Sequence, residues 1–221
     1  MTHRSDTLES FLRATAPEPT PLQREMAGTA TELSFPIVGP VAGGVLAQVT
    51  RLTGADRVFE FGSGFGYSAT WFVRGGATDI VCTEFDEDEV KLGRELVAEA
   101  DLDDRITFEY GDAMETIERY DGPFDVVLID HQKHRYADAY DAVRPKLSDT
   151  AVVVADNVVR GPLDFETLAA HFNDGTPLPT REEDEGTWGI GTYLTRVRGD
   201  ADAETVVLPV GSGLVVSVVS R

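Results

Sequence analysis

Apolar and polar positions along the chain alternate between two periods. From Val38 to Thr53 the apolar residues Val41, Val45, Leu46, Val49 and Leu52 recur at helical spacing and the pattern stops at Gly54, which predicts a helix feeding a strand. Runs rich in β-branched and aromatic residues follow at 57–61 (RVFEF), 79–84 (DIVCTE), 106–110 (ITFEY), 124–130 (FDVVLID) and 150–156 (TAVVVAD), predicting five strands. Between the second and third, Val90, Gly93, Leu96, Val97 and Ala100 share one face of a predicted helix over 86–100, whose acidic start suits the helix dipole. Strand alternating with helix implies a parallel sheet, and the unbroken apolar stretches VVLI and AVVVA fit strands covered on both faces. After a helix near 163–172, the loop GTPLPTREEDEGTW and a helix ending at Arg198, the runs TVVLPV and GLVVSVVS joined by GSG predict an antiparallel hairpin on the sheet edge. Residues 1–34, polar and carrying Pro17, Pro19 and Pro21, read as one short helix followed by an irregular arm. The prediction is a single α/β domain over 1–221: an N-terminal helical arm over 1–34, then a doubly wound, mostly parallel seven-stranded core over 35–221 with helices on both faces.

Composition narrows the partners. The 221 residues carry 19 Lys plus Arg against 39 Asp plus Glu, a formal net charge of −20. Phosphate backbones are bound through clustered basic residues, and with none here the balance argues against nucleic acid. Many carboxylates and only three lysines, Lys91, Lys133 and Lys146, resemble proteins of high-salt cytoplasm, where ions screen self-repulsion. The lone Cys82 excludes an internal disulfide and a thiolate metal cluster. No apolar run is long enough to span a bilayer and the N-terminus lacks a secretory apolar region, so the expected location is cytoplasmic, away from membranes.

The first strand runs into EFGSGFGYSA, residues 60–69, where Gly62, Gly64 and Gly66 allow a tight turn ahead of a helix N-terminus suited to an anion. A dinucleotide fingerprint starting at Gly62 requires glycine at 67, and Tyr67 stands there, which weakens a nicotinamide reading. Glu84, 22 residues beyond Gly62 at the end of the second strand, is placed to accept from ribose hydroxyls. The simpler alternative is a tight turn beside a solvated strand end.

Asp130, at the end of the fourth strand, and Asp156 and Asn157, after the fifth, leave the sheet at the same edge as the glycine turn. Two carboxylates and an amide oxygen suit a hard cation such as magnesium, and no His-rich or Cys-rich set competes. The alternative is that these residues only cap the following helices. Lys133, three residues after Asp130 and scarce in this chain, adds a candidate amine. Trp188 either walls a pocket or covers an edge, and the acidic run 182–185 reads as a solvated loop.

Together and in order, EFGSGFGYS, IDHQKHRY and ADNV resemble segments of catechol O-methyltransferase and the wider group of metal-dependent, S-adenosylmethionine-dependent small-molecule O-methyltransferases. The resemblance, over roughly 35–160, implies a Rossmann-like fold and a set of roles. Glu60, Gly62, Gly64, Gly66, Tyr67 and Ser68 would form the cofactor turn, Ser68 and the backbone near Val38 holding the methionine carboxylate. Glu84 would bind the ribose, and Asp112, Ala113, Met114 and His131 would surround the adenine, with Asp130 bordering the cofactor. Asp130, Asp156 and Asn157 match the magnesium ligands, and Lys133 matches the catalytic base. Gln132 departs from the family, which has an aromatic residue beside the substrate there, and the stretch after Asn157 does not align.

The implied reaction moves a methyl group to a hydroxyl of a catechol-like acceptor: a phenol, with a pKa of about 10, needs its proton removed before it attacks a sulfonium methyl. The implied partners are a hydroxylated aromatic small molecule and a second copy of the chain as homodimer. Alternatives are a hydroxylated tRNA base as acceptor, or a non-catalytic or redox domain holding NAD.

Overall fold

The computed structural model describes residues 2–220, with side-chain surroundings from Asp6 onward. One sheet organises the chain, built from β1 (Arg57–Phe61), β2 (Asp79–Glu84), β3 (Ile106–Tyr110), β4 (Phe124–Ile129), β5 (Leu147–Ala155), β6 (Ala203–Leu208) and β7 (Leu214–Ser220). Their spatial order is β3-β2-β1-β4-β5-β7-β6. The first five pair in parallel, while β7 runs antiparallel between β5 and β6. The fold is therefore the Rossmann-like, mostly parallel α/β sheet expected. The five strands fall where the apolar runs place them, except that β5 starts three residues earlier, where Leu147 pairs with Phe124 before a register shift.

Nine α-helices surround the sheet among the described residues: α1 (Thr2–Thr15), α2 (Pro21–Leu33), α3 (Gly39–Thr53), α4 (Tyr67–Gly75), α5 (Glu87–Glu99), α6 (Ala113–Thr116), α7 (Tyr136–Val143), α8 (Phe165–Asp174) and α9 (Glu185–Arg198). None is long and apolar enough to cross a membrane. The expectation of one short helix and an irregular arm before residue 34 is corrected, since both α1 and α2 are helical. Thr20 forms a capping box with Gln23, the Gln23 amide donating to Thr20 Oγ1 at 3.2 Å and the Thr20 amide to Gln23 Oε1 at 3.0 Å. Pro21 then occupies the first helical turn, where its missing N–H costs nothing, so the proline that looks like a breaker starts the helix.

Pleating divides the core. Along β1, Val58 joins a cluster with Met26, Leu46, Trp71 and Phe72 on one face, while Phe59 and Phe61 join Tyr136, Tyr140 and Tyr193 on the other. Both faces are covered at the centre of the sheet, where the β1 side chains from Val58 to Phe61 are buried. Because β1 lies between β2 and β4, connections from neighbouring carboxyl ends leave toward opposite faces and a crevice opens beyond them.

Candidate functional site

The glycine turn is fixed by backbone contacts that exclude side chains. Gly62 has φ +80°, and a Cβ there would lie 2.8 Å from the Asp130 carbonyl oxygen and 2.9 Å from His131 Cα. At Gly64 a Cβ would fall 2.6 Å from the Phe35 ring. The Gly62 and Ser63 amides donate to the Thr83 carbonyl at 3.1 and 3.0 Å, locking the turn to the end of β2.

Glu84 closes this side. One carboxylate oxygen accepts from the Gly64 amide at 2.9 Å, the other from Phe85 and Asp86 at 2.7 and 3.1 Å. It is buried, so it is not a solvated strand end. Glu60 faces inward from β1 and accepts from the Ser68 hydroxyl, with Cys82 Sγ 3.7 Å away. Burial, only partly offset by Ser68, pushes the Glu60 carboxyl up to about 8. An acid whose folded value stands above its unfolded value stabilises the fold most below the unfolded value, and that contribution is lost as pH rises from 4.5 through about 8. Glu60→Gln should therefore gain on wild type by on the order of 4 kcal/mol between pH 4.5 and 8.5, read from paired urea unfolding curves without ligand. A constant difference would contradict a buried, protonated Glu60.

Beyond β4 and β5 the oxygen-bearing residues meet. Lys133 sits on a short turn, 133–135, and its Nζ donates to Asp130 Oδ1 at 2.9 Å, Asn157 Oδ1 at 2.7 Å and the Tyr136 hydroxyl at 2.6 Å. Tyr136 in turn donates to the Asp156 carbonyl at 3.1 Å. Asp156 Oδ1 accepts from the Asn157 amide at 2.6 Å, and Asn157 takes the left-handed φ of 61° that short polar side chains tolerate. None of the three caps a helix: Asp164 caps α8, and α7 follows the 133–135 turn with no side-chain cap. Burial raises the Asp130 carboxyl, and burial with the neighbouring Asp130 charge raises Asp156 to about 7.

This donor set fits a hard divalent cation. Oxygens of Asp130 and Asn157 already converge on one ammonium, and Asp156 adds a second, crowded carboxylate beside them. Among the described residues no three His, Cys, Asp or Glu side chains group as a metal site; the third donor here is an amide.

A cavity of about 650 Å³ joins the two halves. It is lined by Val38, Glu60, Gly62, Gly64, Tyr67, Ser68, Glu84, Asp130, His131, Lys133, Asp156 and Asn157 among the residues singled out from sequence. A smaller recess of about 100 Å³ next to it is lined by Glu84, Asp112, Ala113, His131 and Arg135. Among the described residues both His131 ring nitrogens are buried without a hydrogen-bond partner, and the ring stacks on Tyr136 at 5.6 Å. Burial pushes the imidazole down to about 3, leaving a neutral ring at the junction of the two spaces. Asp112 caps α6 through the Met114 amide and pairs with Arg135 at 2.9 Å. Gly66 and Met114 lie outside both linings: Gly66 packs against Phe108, and Met114 against the second core cluster. Trp188 lies outside them as well, half-buried beneath the Arg181 guanidinium at 6.0 Å.

Three contributors were not legible in the sequence. Tyr136 holds the lysine, Phe35 walls the turn, and Gly189 of α9 lets that helix approach so closely that a Cβ would lie 2.3 Å from the Lys133 carbonyl oxygen. The spacing of Gly186, Gly189 and Gly191 within one helix was the available signal, since such glycines mark close approach.

Residues 59–158 match a methyltransferase-domain family. Over 139 residues the chain is 32% identical to a catechol O-methyltransferase of Mycobacterium tuberculosis, an alignment covering 61% of this chain and 63% of that relative. Over 194 residues it is 25% identical to a caffeoyl-CoA O-methyltransferase of Stellaria longipes, covering 82% and 76% of the two chains. An O-methyltransferase from Bacillus cereus, solved in complex with SAH, superposes with a TM-score of 0.82 at 22% identity over 97% of each chain. Residues 59–158 thus resemble a methyltransferase domain, and the relatives with which the chain aligns are O-methyltransferases. It spans under two thirds of the length of the mycobacterial relative.

Proposed function

We propose that the protein is an S-adenosylmethionine-dependent O-methyltransferase acting on a hydroxyl of a catechol-like, vicinal dihydroxy aromatic, with magnesium or another divalent cation at Asp130, Asp156 and Asn157 and Lys133 as general base. The observation that carries this reading is the single cavity in which the glycine turn and the Lys133 cluster meet. The relatives' names, which include catechol and caffeoyl-CoA, support a phenolic acceptor.

In this reading Ser68, Glu60 and the Val38 backbone bind the methionine end, Glu84 the ribose, and the recess at Ala113 and His131 the adenine. Asp130, Asp156 and Asn157 would hold the cation, which would supply Lewis acidity that favours ionisation of an acceptor hydroxyl. Lys133, acting as the neutral amine, takes the proton at Nζ, and Tyr136 keeps the amine aimed. The hydroxyl oxygen bonds to the methyl carbon as the sulfonium sulfur departs with the bonding pair. Holding both reactants in line beside apolar Phe35 and Ile37 contributes orientation and excludes water.

A labelled-methyl transfer screen over dihydroxy aromatics and bulk tRNA, with and without magnesium, tests this. Transfer to the aromatics that a chelator stops and magnesium restores is expected; transfer to tRNA alone, or a rate indifferent to chelator, contradicts it. Adenosylmethionine, and not NAD, should raise the melting temperature. A homodimer, a cytoplasmic location and stabilisation by molar KCl complete the reading, the last following from the acidic composition.

A further inference from the structure

The cavity is lined by five carboxylates, Glu60, Glu84, Glu89, Asp130 and Asp156, and by two basic side chains, Lys133 and Arg160. Lys133 is committed inward by its three hydrogen bonds. Arg160 is not: its side chain is 60% exposed, and among the described residues its guanidinium meets Glu9 of α1 at 3.3 Å. The loop that carries it folds back on the oxygen cluster. The Arg160 amide donates to the Ser212 carbonyl at 2.8 Å, and a Cβ on Gly161 would fall 3.1 Å from Asn157 Cβ. A planar guanidinium is therefore held at the rim of an otherwise acidic cavity, a few residues from the acceptor end, with donors to spare for a second planar anion. Glu9 shows that a carboxylate fits there.

We propose that the acceptor is a vicinal dihydroxy aromatic bearing a carboxylate, which Arg160 binds in exchange for Glu9. This rests on the O-methyltransferase reading and specifies its substrate class. Arg160 acts in binding, remote from the transferred methyl, so its contribution appears in KM. Being exposed, the contact also weakens with salt.

The experiment compares kcat/KM for a vicinal dihydroxybenzoate and for unsubstituted catechol, in 50 mM salt and again in molar KCl. Wild type should favour the benzoate by about tenfold or more, the scale of one charge-assisted contact at a partly exposed site. Arg160→Met should remove most of that ratio through KM for the benzoate, Arg160→Lys should retain a part of it, and Glu9→Gln should increase it. Molar KCl should compress the wild-type ratio. Transfer to both compounds with a ratio that Arg160→Met leaves unchanged overturns this inference while the O-methyltransferase reading stands. Transfer to neither compound, in protein shown to bind adenosylmethionine, overturns both.

Discussion

Lys133→Ala is expected to lower methyl transfer to catechols by about 10²- to 10⁴-fold, the range a positioned proton acceptor supplies. The loss should fall on kcat, because the role proposed for the lysine begins when the acceptor hydroxyl loses its proton. The substitution also leaves Asp130 Oδ1 and Asn157 Oδ1 without the ammonium that pairs them, so the unliganded protein should lose about 1–3 kcal/mol. In the proposed reading adenosylmethionine occupies the other half of the cavity, so the rise in melting temperature that it causes, taken from each variant's own baseline, should match wild type. A variant that turns over like wild type would remove the lysine from the chemistry. A variant that loses the cofactor shift would make it a cofactor residue instead.

Gly62→Ala should damage both halves at once. Its φ of +80° costs alanine roughly 1–2 kcal/mol, and the added carbon would press on the backbone of Asp130 and His131, which cannot swing aside as a flexible side chain would. The ends of β1 and β4 are joined there by the Asp130 amide donating to the Phe61 carbonyl at 2.8 Å, so the clash spreads to the residue that carries the first proposed metal oxygen. About 2–4 kcal/mol of stability and most adenosylmethionine affinity should be lost, read by urea unfolding and calorimetric titration. Gly28→Ala, in α2 with open space around the missing Cβ, should be neutral or slightly stabilising in the same assays. Equal behaviour of the two variants would contradict the close approach at Gly62.

The β strands were legible because parallel strands covered on both faces must be apolar throughout, and VVLI and AVVVA leave no competing pattern. Asp130, Asp156 and Asn157 were legible because each directly follows such a run, and strand ends at one sheet edge meet by topology alone. The N-terminal helices were not: three prolines outweighed the Thr20 and Gln23 pair, although a proline in the first turn starts a helix as readily as one in the interior breaks it. Tyr136, Phe35 and Arg160 were hidden for another reason. Phe35 and Arg160 line the cavity and Tyr136 backs it through Lys133, each from a loop or helix start whose direction depends on packing, with no period to betray it.

The proposed chemistry depends on where four side chains stand when both substrates are present. A crystal structure with S-adenosylhomocysteine, magnesium and a nitrocatechol inhibitor tests it most directly. The account predicts one ion at about 2.1 Å from oxygens of Asp130, Asp156 and Asn157, chelated by both catechol oxygens, with Lys133 Nζ within about 3 Å of the hydroxyl that faces the sulfur. An ion bound elsewhere, or a lysine still closed on Asp130 and Asn157 with the catechol out of reach, would contradict it.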